Sequence, residues 1–270
     1  MITTALKPEL AATLSDARLQ FHHAAQLATA AGISYLPPKP DDSHTNLEWL
    51  ASDGRLASNR ISSSKPFRIA VRAADLELSL LDTNDAVLTS MALNQRTIGD
   101  AAGWLRTQLS EVGADPRLFT LSRHYEIPHH AVDDGAPFDT SDTVAFAQLA
   151  AWYGLAATIL ESMQDLSGHT SDVRCWPHHF DIAVLIGVEP GKTIGVGMEP
   201  GDVYYDEPYF YVNTTQALTS PPKVALPIGA WHTREWIGAV LRGSSLSADS
   251  APEEVRAFLV SAVAAVRGLM

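Results

Sequence analysis

The sequence predicts an α+β protein in which antiparallel sheets pack against long helices. Three features point there: long stretches with apolar residues at three- and four-residue steps, clusters of short alternating runs, and turn residues between those runs where a parallel sheet would need crossover helices. Both halves, 1–139 and 140–270, read helix, strands, helix, which suggests an internal duplication. The Ser- and Pro-containing stretches are too short for interdomain linkers, so one intertwined domain over 1–270 is expected.

The first helix runs from Pro8 to Ala31, with Leu10, Leu14, Ala17, Phe21, Ala24, Ala25 and Ala28 as its apolar stripe and Gly32 placed to end it. Pro37-Pro38-Lys39-Pro40 cannot continue a helix and reads as an extended loop leading to His44. Roughly three or four strands are expected between Leu47 and Leu93. Phe67, Ile69 and Val71 alternate there with Arg68, Ala70 and Arg72, which gives one buried face and one wet face. Thr97 caps a helix carrying Ile98, Ala101, Ala102, Leu105 and Leu109, and Gly113 ends it. A strand near Leu118 to Ile127 follows, with His124 and Glu126 on one face as a possible base and its orienter. Thr140 or Ser141 caps a largely apolar helix through Met163. Strands are expected near 180–187, 193–198, 208–214 and 236–241. Ser250, Pro252 and Glu253-Glu254 open a final helix through about Arg267.

Whole-chain properties narrow the function classes. Nineteen basic against 31 acidic residues give a formal charge of −12, which repels phosphate backbones, so nucleic acid is not an expected partner. Cys175 is the only cysteine and forms no intramolecular disulfide, which fits a reducing, cytoplasmic location. Met1 to Lys7 lack the pattern of a secretory leader and no apolar run approaches a membrane span, so no membrane partner is expected.

The familiar motifs are absent or malformed. Gly187-Val188-Glu189-Pro190-Gly191-Lys192-Thr193 has one residue too few between its glycines for a phosphate loop and precedes a strand, so it reads as a hairpin turn. Gly195-Val196-Gly197 fails as a dinucleotide fingerprint for the same reason. The chain contains no G-x-S-x-G, H-E-x-x-H or C-x-x-C.

The positive signals are histidines and aromatic-acid clusters. Trp176-Pro177-His178-His179-Phe180-Asp181 precedes a β-branched run, so alternation would put His179 and Asp181 on one strand face. With His232 they would match a facial set of two imidazoles and one carboxylate that holds a divalent metal ion, and Arg234 beside His232 would pair with an anionic substrate group. Gly201-Asp202-Val203-Tyr204-Tyr205-Asp206-Glu207-Pro208-Tyr209 interleaves carboxylates with tyrosines, a composition suited to polar ligands.

Those three segments together resemble a bacterial family of unknown function, marked by W-P-H-H-F-D, G-D-x-Y-Y-x-E-P and W-H-T motifs. The first helix, with Phe21-His22-His23, and the segment Asp41 to Trp49 fit the same order. In the broader relatives that it resembles, the recurring residues fall on Phe180-Asp181, Glu207-Pro208 and His232, and a small residue stands in place of His179. The resemblance therefore promotes a polar set of His22 or His23, His44, Asp181, Glu207 and His232 over the metal triad.

Two functions are expected from these residues. The first is a small-molecule enzyme with Asp181, His232 and Glu207 as its acid-base centre, or with His179, Asp181, His232 and His44 around a divalent metal ion. The second is a non-catalytic protein whose ligand rests among Trp176, Tyr205, Tyr209, Trp231 and Trp236.

Overall fold

A computed structural model describes residues 6–163 and 169–269. The leader reading of Met1 to Lys7 falls mostly on 1–5, outside the described residues. The chain divides into two compact units, each discontinuous in sequence: Asp16–Ala150 with Cys175–Phe180, and Ala151–Arg174 and Asp181–Met270 with the N-terminal stretch through Ser15.

The 3₁₀ turn at Pro8–Thr13 belongs to the second unit, and α1 (Ser15–Tyr35), which follows it in sequence, lies in the first from Asp16 onward. Gly32 does not end α1. It lies inside the helix because a Cβ there would stand 2.1 Å from the His44 carbonyl oxygen, so glycine is what lets the proline loop lie against the helix. The helix stops just short of Pro37, as the steric restriction before proline requires.

Five strands follow rather than three or four: β1 (Leu47–Leu50), β2 (Arg55–Ser58), β3 (Arg68–Arg72), β4 (Glu77–Leu81) and β5 (Val87–Ala92). Each pairs antiparallel with the next, and Cys175 of the short β6 (Arg174–Cys175) pairs with Leu47. Leu56, Ile69, Val71 and Leu78 form the apolar face. The opposite face is not wet, because Arg55 and Arg68 are only 2 % exposed. Arg55 pairs with Asp53 and Glu77, and Arg68 with Glu48 and Asp85, so cross-strand carboxylates satisfy each buried guanidinium.

Thr97 caps α2 (Ile98–Glu111) in a reciprocal capping box with Asp100, where sequence had Thr97 alone. Residues Leu118 to Ile127 form no strand. They run irregularly with no ladder partner, tied by the Thr120 N–H to the Ser34 hydroxyl and by the Tyr125 hydroxyl to Gln26. His124 instead meets Asp42 at 2.8 Å.

Helix α3 (Thr143–Met163) begins in the first unit and ends in the second. Asp142, not Thr140 or Ser141, accepts the Ala145 N–H at its start. By length and mean hydropathy of 1.5 it could cross a membrane, which corrects the reading that no apolar run is long enough. Trp152, Tyr153, Ala156 and Leu160 are all fully buried, as in the core helix of a globular fold, which passes the same test.

The second unit holds β7 (Ile182–Glu189), β8 (Lys192–Glu199), β9 (Tyr209–Thr214), β10 (Ala230–His232) and β11 (Gly238–Arg242), hydrogen-bonded in the order β7, β8, β9, β11, β10 and antiparallel throughout. The Gly187–Thr193 segment is a hairpin turn, as expected. Helix α4 (Ala251–Arg267) packs on β8, β9 and β11, and Trp152 of α3 meets Phe210. Ser250 precedes α4, but its hydroxyl goes to the Glu254 carboxylate instead of capping a backbone N–H.

Replacing Gly32 with alanine should destabilise the chain by about 1–3 kcal/mol, since the clash is with backbone that cannot rotate away. A lowered urea midpoint would show this; an unchanged midpoint would mean that the loop yields freely.

Candidate functional site

Alternation along the strands of the second unit separates two chemistries. Ile194, Val196, Met198, Phe210 and Val212 lie on one face and are fully buried. Tyr209 and Tyr211 of β9 stand on the other, with Gly197 and Glu199 of β8 beside them and Arg242 of β11 opposite Tyr209.

Gly197 makes that face possible. A Cβ there would lie 2.7 Å from the Tyr211 hydroxyl and 2.8 Å from Ala183, so only a hydrogen leaves room for the tyrosine ring to cross β8. Tyr211 thereby reaches β7 and donates to the Asp181 carboxylate. Burial, then the adjacent Asp181 charge, pushes the Tyr211 hydroxyl well up from its ordinary range, so it remains a donor. Tyr209 is raised by burial and by Glu199, and donates to Asp202 at 2.8 Å.

The Tyr205 ring lies tilted against Tyr209, centroids 4.9 Å apart, and its hydroxyl contacts His232 Nδ1 at 2.8 Å. His232 Nε2 donates to the Arg234 carbonyl at 2.6 Å, which leaves Nδ1 to accept from Tyr205. The Thr233-Arg234-Glu235-Trp236 turn is closed by the Trp236 N–H to the Arg234 carbonyl, and Glu235 sits in the left-handed region at φ 62°. That strained turn throws Trp236 back over Gly238, where a Cβ would lie 2.4 Å from the indole, and the indole stacks on His232 at 4.2 Å. A surface cleft of about 390 Å³ opens there, walled by Asn213, Thr214, Thr215, Thr233, Glu235 and Trp236.

The expected centre is thus partly assembled. Asp181 and His232 belong to this tyrosine-linked face, and each is held by a tyrosine of its own, Tyr211 for Asp181 and Tyr205 for His232. Glu207 is 2 % exposed and acts on the backbone: it takes Arg242 at 2.6 Å and the Ser244 N–H at 2.7 Å, fixing the turn after β11. Tyr205 and Tyr209 lie in the cluster. Trp231 pairs with Ala239, which alternates to the opposite face from His232, and its indole donates to the Val224 carbonyl. Arg234 is exposed and reaches the Tyr204 carbonyl at 3.4 Å.

The metal set does not form. Among the described residues no group of three or more His, Cys, Asp or Glu side chains is placed to hold a metal ion. His232 has both ring nitrogens committed to Tyr205 and Arg234, so a metal would have to displace one. His44 is buried in the first unit, where its Nδ1 accepts the Lys39 N–H. His179 is exposed and rests on His178. The alternation that put His179 beside Asp181 fails because Trp176–Phe180 is a turn, closed by the Phe180 N–H to the Trp176 carbonyl with Phe180 at φ 73°, and β7 starts only at Ile182.

The first unit uses its imidazoles to hold that turn. His22 Nε2 and Gln26 Nε2 donate to the Pro177 carbonyl at 2.8 and 3.0 Å, and His22 stacks on Phe180 at 4.4 Å. Trp176, expected to bind substrate, packs edge-on against His178 at 6.2 Å. His23 donates to the Pro128 carbonyl at 3.0 Å. These are clamps between segments.

Sequence reading passed over Asn213, Thr214, Thr215, Thr233 and Glu235, because isolated polar residues at strand ends carry no periodic signal. One signal was available: Gly195 and Gly197 recur at a two-residue step, which in a strand marks one hollowed face.

Burial pushes the His22 imidazole down to about 3 from an ordinary 6.5. Between those values the unfolded chain binds a proton that the folded chain refuses, so His22 makes stability fall as pH drops below about 6.5, by up to ~1.4 kcal/mol per pH unit. Urea unfolding across that window should show a slope lower by about one proton in His22→Asn than in the parent chain; equal slopes would mean that His22 titrates normally.

Compared with family models, curated proteins and solved structures, the chain matches none, and its function has to be argued from this geometry.

Proposed function

We propose that the chain is a small-molecule-binding protein whose ligand occupies the cleft beside Trp236. One observation carries the reading: a strained, non-glycine turn at Glu235 holds an indole over Gly238 and against His232, at the mouth of a cleft lined by both polar side chains and the apolar Ala217, Leu218 and Ile237. A turn held in the left-handed region costs folding free energy, and such strain concentrates at ligand clamps. The cleft volume is within the range of small-ligand sites.

An acid-base enzyme is the second reading. The contact between the Tyr211 hydroxyl and the Asp181 carboxylate favours it, since a buried tyrosine aimed at a carboxylate is a proton-holding pair. His232 would be the partner that responds to it through Tyr209 and Tyr205.

The wider setting is part of the same proposal. The repeated order of helix, antiparallel strands and helix is read as an internal duplication. The three-motif resemblance to a bacterial family, a cytoplasmic location for a chain with one buried thiol, and the avoidance of nucleic acid at a charge of −12 fit a soluble ligand-binding protein.

Thermal-shift screening of a small-metabolite library tests the binding reading. Hits that stabilise the parent chain and lose their shift in Trp236→Ala, but keep it in Trp176→Ala, are expected. Hits that keep their shift in Trp236→Ala would move the site elsewhere, and turnover of a hit that Tyr211→Phe abolishes would favour the enzyme.

A further inference from the structure

We propose that the cleft takes a small primary ammonium compound, an inference that rests on reading the cleft as the ligand site. Its charge is one-sided, since Glu235 is the one ionisable residue among the described residues of the lining. The Thr214 hydroxyl donates to the Gln216 carbonyl at 2.6 Å, and the Thr215 hydroxyl to the Thr193 carbonyl at 3.2 Å. Both hydroxyl protons are therefore spent within the protein, and because Thr215 Oγ1 also accepts the Thr193 N–H at 3.0 Å, it is Thr214 that keeps its lone pairs for a ligand.

Glu235 continues the pattern. Its carboxylate can only accept, and the Tyr204 hydroxyl already donates to Oε2 at 2.9 Å. Among the described residues that line the cleft there is no lysine, arginine or histidine. Trp236 supplies an indole, the best ring for holding a cation over its face.

One carboxylate and one indole, with no cationic side chain beside them among the described lining residues, favour a ligand that brings positive charge. A primary ammonium has three donors, no acceptor and a full charge. A neutral polyol would leave the Glu235 charge uncompensated, and a carboxylate or phosphate ligand would face Glu235 without a countercharge from the lining residues. The formal charge of −12 adds long-range attraction in the same sense. Arg234, expected from sequence to pair with an anionic substrate, is not part of the lining.

Calorimetric titration of the full chain with pentylammonium, pentanol and pentanoate tests this. Pentylammonium is expected to bind one per chain, and each of the two other probes at least about tenfold more weakly. Glu235→Gln and Trp236→Leu should each weaken pentylammonium about tenfold, with far-UV spectra and melting temperatures confirming that the variants fold. Pentanol binding as well as pentylammonium, and losing affinity in Trp236→Leu, would overturn the ammonium proposal and leave the cleft as the ligand site. Pentylammonium bound equally by both folded variants would overturn the proposal and the cleft reading together. Absence of pentylammonium binding overturns the proposal, and the comparison of the three probes on the parent chain needs no variant to be decisive.

Discussion

Two missing β-carbons organise the second unit. At Gly197 and Gly238 the sheet surface is hollowed by the width of a methyl group, and Tyr211 and Trp236 lie in those hollows. Without the first, the Tyr211 ring could not cross β8 to reach Asp181; without the second, Trp236 could not fold back onto His232. The flat, large side chains then have one place each, which converts a polar sheet face into a layer of fixed rings. Rigid aromatic surface of this kind offers contact area at low entropic cost.

The electrostatics follow from that layer. Asp181 and Glu199 are each 6 % exposed, a burial that carboxylates tolerate only with donors close by. Tyrosine hydroxyls supply such donors to Asp181 and Asp202, and a guanidinium supplies them to Glu207. The first unit solves a related problem with the opposite charge, burying Arg55 and Arg68 against carboxylates from neighbouring strands. Asp181, Glu207, Arg55 and Arg68 are thus polar groups that read as surface residues and are interior ones, each with a partner supplied by a strand or turn distant in sequence.

That distance explains what was legible in the sequence. The Thr97 cap, the hairpin turn at Gly187 to Thr193 and the end of the last helix rest on neighbours a few residues away, and all were readable. The pairing of Glu207 with Arg242 spans 35 residues and leaves no local trace. The strand face proposed for His179 and Asp181 failed on one backbone angle at Phe180, a residue type that gives no warning of a positive φ. Gly32 was read as a helix stop because glycine usually punctuates, whereas here it admits a loop. Asp181 and His232 stood out in the sequence because their residue types are chemical, while the partners they take, Tyr211 and Tyr205, left no local trace. The cleft itself lay outside the reading, since its lining comes from strand ends and a turn with no common pattern.

The direct test of a ligand site at the Trp236 turn is residue-resolved mapping in solution. Amide chemical shifts of the isotope-labelled chain, followed as pentylammonium is added, should move in one saturable set at Asn213 to Leu218 and Thr233 to Ile237. Saturable shifts confined instead to another surface, such as the depression formed by Arg106, Thr107, Ser110 and Arg117, would contradict the assignment of the site.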